Sequence, residues 1–209
     1  MKSGVRDRRS RKSESKSGVS VDIKERFSEN VKYLLWSDKD LPREEWLSRL
    51  VEWTKSDPIR AKELIYGAEP SSSEQKNIAE AVNRTEGDLR HARLLEEDGI
   101  NILHENVLYL LESLEHGEQG KLAKSIGVDE DTITKWKSGQ GIRPKNLEAL
   151  REYFRMPSDV DLKTKPIFLE LTPYGDKRRR EWLHNHIDQL EPDTLRDLFP
   201  SLVRQLREP

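Results

Sequence analysis

The chain has 209 residues, 33% of them hydrophobic and 36% charged, with a formal net charge of −2. That length admits one large domain or two small ones with their own cores, and the lean apolar content leaves much of each helix facing water. There is no cysteine, which excludes disulfide frameworks, thiolate zinc sites and thiol chemistry and fits a cytoplasmic setting.

No apolar leader and no run of membrane-spanning length is seen, so neither export nor membrane insertion is expected. Glycine and proline are few, and alternating β-branched strings are nearly absent. The expected fold class is all-α.

Residues 1–20 are rich in Ser, Lys and Arg. The first 19 hold seven basic residues against Asp7 and Glu14, so the remaining 190 carry −7. Such a segment lacks the apolar content for a core and reads as a disordered basic arm, either a phosphate-seeking one or an inert tail.

A helical domain is expected over residues 21–98. From Ile23, the residues Phe27, Val31, Leu34 and Leu35 recur at helix spacing. Pro42 with Glu44 and Glu45 marks a helix start, and Trp46, Leu47, Leu50, Val51 and Trp53 give its apolar face. Asp57 and Pro58 open another helix that ends at Gly67, and the serines at 71–73 open a fourth. A connecting helix is expected over residues 89–97, ending at Gly99.

The apolar pattern restarts at Ile102 and ends at Gly117, opening a second domain over residues 99–160. Within residues 119–138 the residue types suit two short helices crossing steeply. Ala123 is the small residue at the crossing, Gly127 makes the turn, and Leu122, Val128, Ile133 and Trp136 fall on the buried side.

The stretch from Glu118 to Gly139, with Arg143, Pro144, Asn146, Leu147 and Leu150 after it, resembles the phage-repressor (Xre/Cro-type) helix-turn-helix family over residues 101–157. The resemblance implies a five-helix domain that binds double-stranded DNA, working as a dimer on paired half-sites. It places Gln119 at a phosphate, and Asp129, Glu130, Asp131, Thr134, Lys135 and Ser138 toward the major groove. Arg143 and Lys145 would touch the DNA backbone or minor groove. The sequence departs from the family at 129–131, where three acids stand in place of neutral or basic reading residues. A carboxylate accepts from cytosine N4, yet three of them beside phosphates repel.

The first block echoes the second at an offset of 72 residues. Gly67 matches Gly139, Leu64 matches Trp136, Ala61 matches Ile133 and Ile78 matches Leu150. Residues 23–83 therefore read either as a degenerate second copy or as an unrelated four-helix unit. In the first reading, 43–54 and 57–66 are the motif helices, with Arg43, Arg60 and Lys62 outward.

Residues 161–209 read as a short strand at 165–173, bounded by prolines, and a helical hairpin over 176–190 and 193–208. Trp182, Leu183, Ile187 and Leu190 form one apolar stripe. Leu195, Leu198, Phe199, Leu202, Val203 and Leu206 form a wider one. Such surface covers either the chain's own domains or a second copy, making this hairpin a candidate dimerisation element. The basic run at 177–180 begins a helix, where the macrodipole disfavours cations. It is either a solvated charge run or a site for an external anion.

No phosphate loop, dinucleotide fingerprint or nucleophile elbow occurs. His184 and His186 are two apart, on different helix faces, and His91, His104 and His116 lack ligand-spaced partners. No metal, cofactor or catalytic role is expected. The expectation is thus two small repressor-like helical domains in tandem with a C-terminal helical hairpin, acting as a cytoplasmic, dimeric, sequence-specific transcriptional regulator. The competing expectation is a non-catalytic adaptor facing a protein partner, or a nucleic-acid-binding subunit of a transposition or defence complex.

Overall fold

The computed structural model describes residues 18–207, and among them there is no strand: the fold is all-α. The chain divides into two compact units, the first closing at Ile100 and the second opening at Asn101.

The first unit begins with α1 (Gly18–Ser37). This helix takes in residues 18–20 of the expected arm, because propagation past Ile23 adds one hydrogen bond per residue without a new nucleus. Residues 1–17 of the arm lie outside the described residues. A 3₁₀ turn (Arg43–Glu45) leads into α2 (Trp46–Thr54), which Lys55 ends in the left-handed conformation at φ 56°. Asp57 caps α3 (Pro58–Ile65) by accepting the Arg60 N–H at 3.0 Å, and Pro58 presets the first helical φ. Ser71 and Glu74 form a reciprocal capping box at the start of α4 (Ser72–Ala81).

Thr85 and Asp88 form a second capping box, opening α5 (Glu86–His91), and α6 (Leu94–Glu97) follows. The single helix expected over 89–97 is therefore two. The break at Ala92 lets Leu89, Leu94 and Leu95 all enter the core beside Phe27, Leu35, Leu50, Leu64 and Ile78. Its cause is the side chain of Asn30, which is 1% exposed. Its amide donates to the carbonyls of Leu89 (3.1 Å) and Ala92 (2.9 Å), with Asp88 O at 3.3 Å, and its oxygen accepts the Leu94 N–H at 3.4 Å.

The second unit comprises α7 (Ile102–Glu112), α8 (Glu118–Ile126), α9 (Glu130–Lys137), α10 (Pro144–Tyr153), α11 (Asp176–His186) and α12 (Pro192–Arg207). The strand expected at 165–173 is instead a 3₁₀ turn (Ile167–Leu169) whose three residues are all buried. A lone strand has no neighbour for its backbone groups, whereas a tight turn drives three consecutive apolar side chains into one core. Asn106, fully buried, satisfies the surrounding backbone. It donates to the carbonyls of Leu162 and Lys165, both at 2.8 Å, and accepts the Phe168 N–H at 3.4 Å.

The two units share an internal plan. Helices α2, α3 and α4 begin and end 72 residues before α8, α9 and α10, with no change in length. The left-handed residues Lys55, Gly67 and Asn83 (φ 56°, 96° and 53°) stand at the same offset from Gly127, Gly139 and Arg155 (φ 76°, 86° and 49°). In each unit the first of these three helices packs on the other two, and the long opening helix packs on the second.

Asn30→Ala or Asn106→Ala leaves buried carbonyls without a donor. Each is expected to lower stability by about 2–3 kcal/mol, read as a reduced denaturant midpoint at unchanged helical content below the transition.

An ion pair between a half-buried arginine and a buried glutamate distinguishes the first unit. Arg60 grips Glu74 with two nitrogens, Nε to Oε1 at 2.8 Å and Nη2 to Oε2 at 3.0 Å. These bonds, with that from Ser71, hold the Glu74 carboxyl down at about 2 from its ordinary 4.5. A depressed carboxylate stabilises fully above its unfolded value and loses that contribution as pH falls through the folded one. The stability gap between the native chain and Glu74→Gln, about 2 kcal/mol at pH 7, should therefore shrink from pH 4.5 downward and vanish near pH 2, measured by denaturation across that range.

Candidate nucleic-acid interface

Helices α8 and α9 are joined by residues 127–129 alone, and the turn rests on Gly127. The Gly127 and Val128 N–H groups both donate to Ala123 O at 2.9 Å, closing α8 in a left-handed cap. Leu122 and Ile133 are fully buried, Ala123 and Trp136 nearly so, while Val128 is only half-buried. The two helices are thus joined by a glycine-capped turn, and each is held by buried apolar residues, Leu122 and Ala123 on one and Ile133 and Trp136 on the other. Glycine adopts φ > 0 without penalty, whereas Lys55 at the same place in the first unit bears one. Lys55→Gly should accordingly raise stability by about 1 kcal/mol and Gly127→Ala lower it by at least as much, both measurable by thermal denaturation.

Of the residues assigned to DNA, Glu130, Asp131, Thr134, Lys135, Ser138, Arg143 and Lys145 are all exposed, and Gln119 is half-buried. Asp131, Thr134, Lys135 and Ser138 share one helix face by their spacing. Among the described residues no side-chain hydrogen bond or ion pair engages Asp131, Lys135, Arg143 or Lys145. Glu130 is placed differently. Its carboxylate folds back over Gly120, where an added Cβ would lie 2.8 Å from Oε1. Asp129 occupies the N-cap position of α9 without a side-chain capping bond. Acids in the first turn and Lys135 and Lys137 in the last complement the α9 macrodipole.

Gln119 lies at the start of α8 and braces α9. Its amide donates to Thr134 Oγ1 at 3.3 Å, and its oxygen accepts from Lys137 Nζ at 3.0 Å. One further residue that the sequence did not single out for this role fixes the same region. His104 on α7 reaches the carbonyl of Lys137 at 3.0 Å, at the C-terminus of α9, and stands within 3.7 Å of where a Cβ on Gly139 would be. In the sequence it stands in a polar stretch, His104-Glu105-Asn106, of the largely apolar α7.

The first unit departs here from the outward cations expected of it. Lys62 is exposed, but Arg60 is bound to Glu74, Glu63 and the Glu69 carbonyl, and Arg43 lies over the Trp46 ring at 4.9 Å. The places of Asp131 and Ser138 are taken by Ile59 and Tyr66, 73% and 63% exposed.

The basic run at 177–180 is largely engaged within its own unit. Arg178 stacks on Tyr109 at 4.2 Å and lies 3.5 Å from Glu112, Arg179 pairs with Asp176, and Arg180 pairs with Glu115. These contacts fasten α11 to α7 and offset the unfavourable dipole at the α11 start.

Among the described residues no helix is long and apolar enough to cross a membrane, and no group of three or more His, Asp or Glu is placed to hold a metal ion. Comparison with protein-family models, curated proteins and solved structures gives no match.

Proposed function

We propose that this chain is a non-catalytic, sequence-specific DNA-binding regulator that lays α9 in the major groove. The supporting observation is the polar face of α9, with Asp131, Thr134, Lys135 and Ser138 exposed in one row, and Arg143 and Lys145 exposed beyond it. Side chains of this size on a rigid, doubly pinned helix meet the geometric need of base-edge readout. Gln119 and Lys137 stand beside them, near where a phosphate would pass. Two half-sites call for two copies, and the exposed Trp182, Leu183, Leu195, Leu198 and Phe199 of the C-terminal helices offer an apolar surface for a homodimer.

A second reading rests on α3. If the first unit is a degenerate copy of the second, its counterpart of the reading helix suits protein better than DNA, since Arg60 is committed to Glu74 and Ile59 and Tyr66 face solvent.

Selection from a genomic DNA library at two salt concentrations tests the proposal. An enriched motif is expected. Lys135→Ala should weaken it by about tenfold and relax one position, while Arg143→Ala should weaken all sequences alike and reduce the salt slope by about one. Lys62→Ala should leave affinity unchanged. DNA retention that depends only on residues 1–20, or no retention, overturns the reading.

A further inference from the structure

Helix α3 carries an exposed face that is its own complement. Ile59, Lys62, Glu63 and Tyr66 are all exposed and, at spacings of three, four and seven, lie on one side of the helix. Ile59 and Tyr66 are more exposed than any other large hydrophobic residue described, at 73% and 63%. Ile59 stands in the first turn of α3 and Tyr66 caps its end, while the other side of the helix is packed through Ala61 and Leu64. Singly exposed apolar residues are ordinary at a surface; what sets this face apart is that its two most exposed apolar residues flank an opposite-charge pair on one side of the helix. The equivalent places 72 residues on hold Asp131 and Ser138, so the same scaffold carries two polar residues there in one unit and two apolar ones in the other.

The order of the four residues is palindromic about the midpoint of Lys62 and Glu63. Set against itself antiparallel, the helix brings Ile59 opposite Tyr66 of a second copy and Lys62 opposite Glu63 of a second copy, each pair occurring twice. We infer that α3 docks antiparallel on α3 of a second copy of this chain, through an Ile59–Tyr66 seam flanked by two Lys62–Glu63 pairs. Such self-complementarity is what a two-fold interface demands, because each residue must suit the partner that symmetry assigns it. Glu63 already receives Arg60 at 3.0 Å, which holds its carboxylate at the surface ready for Lys62 of the second copy. Four side chains fall short of the about 800 Å² per partner of a stable complex, so the association is weak and concentration-dependent. It is separate from the pairing proposed for the C-terminal helices and does not depend on whether α9 reads DNA.

The absence of native cysteine permits a direct test on the full chain. Ile59→Cys and Tyr66→Cys variants are treated, singly and mixed, with a short bismaleimide. The mixture should crosslink at least tenfold faster than either variant alone. Equal rates in the single variants and the mixture overturn the antiparallel arrangement, and rates no higher than that of an exposed control, Ser48→Cys, overturn the contact itself. A charge exchange gives an independent measure by sedimentation. Lys62→Glu and Glu63→Lys each place like charges together and should each reduce association, whereas mixing the two variants should restore it. Failure of the mixture to recover also overturns the proposal.

Discussion

A single buried asparagine side chain closes each unit. A helix bundle this lean cannot seal its core with helices alone, so each unit brings back an irregular segment whose backbone groups must be satisfied away from water. Asn30 and Asn106, near the middle of the opening helices, meet that demand alike. The amide nitrogen donates to two carbonyls three residues apart, and the oxygen takes an N–H slightly further on. Because an amide offers both donors and an acceptor on one rigid group, it can fix the path of a non-helical segment as no apolar residue could. Leu89 and Leu94 in the first unit, and Leu162 and Phe168 in the second, reach their cores along that path.

On this common plan the two units diverge at their surfaces. The second has the better turn, with Gly127 where the first tolerates Lys55 in the left-handed region. The first has the stronger internal ion pair, Arg60 with Glu74, where the second holds Thr132 and the buried Asn146. An arginine bound by two nitrogens to a buried carboxylate is costly to release, so its charge is unavailable to an external phosphate. The pair that steadies α3 thus keeps its arginine engaged within the unit, and Ile59 and Tyr66 stand where the second unit has Asp131 and Ser138.

The acids at 129–131 look less uniform in the structure than in the sequence. Glu130 is turned back over Gly120, and Asp131 alone stands in the exposed row with Thr134, Lys135 and Ser138. In the proposed DNA-binding role, one carboxylate in that row would accept from cytosine N4, and the charge balance then rests on Lys135, Lys137, Arg143 and Lys145.

The sequence by itself determined the helical class, the ends of most helices and the turn at Gly127, because these follow from local rules: capping residues, proline at a first turn, glycine where φ is positive and apolar residues at helix spacing. It also carried the 72-residue echo, through the few core positions Ala61, Leu64, Gly67 and Ile78. Only the tertiary structure decided that the strand at 165–173 is a 3₁₀ turn, that the helix over 89–97 is broken, that Arg60 is bound to Glu74 and that the run at 177–180 is bound to α7 and its own helix. Each of these depends on a partner distant in sequence, an asparagine, a glutamate or a tyrosine ring. Local pattern states what a residue prefers, but which distant group satisfies it is settled when the chain closes on itself.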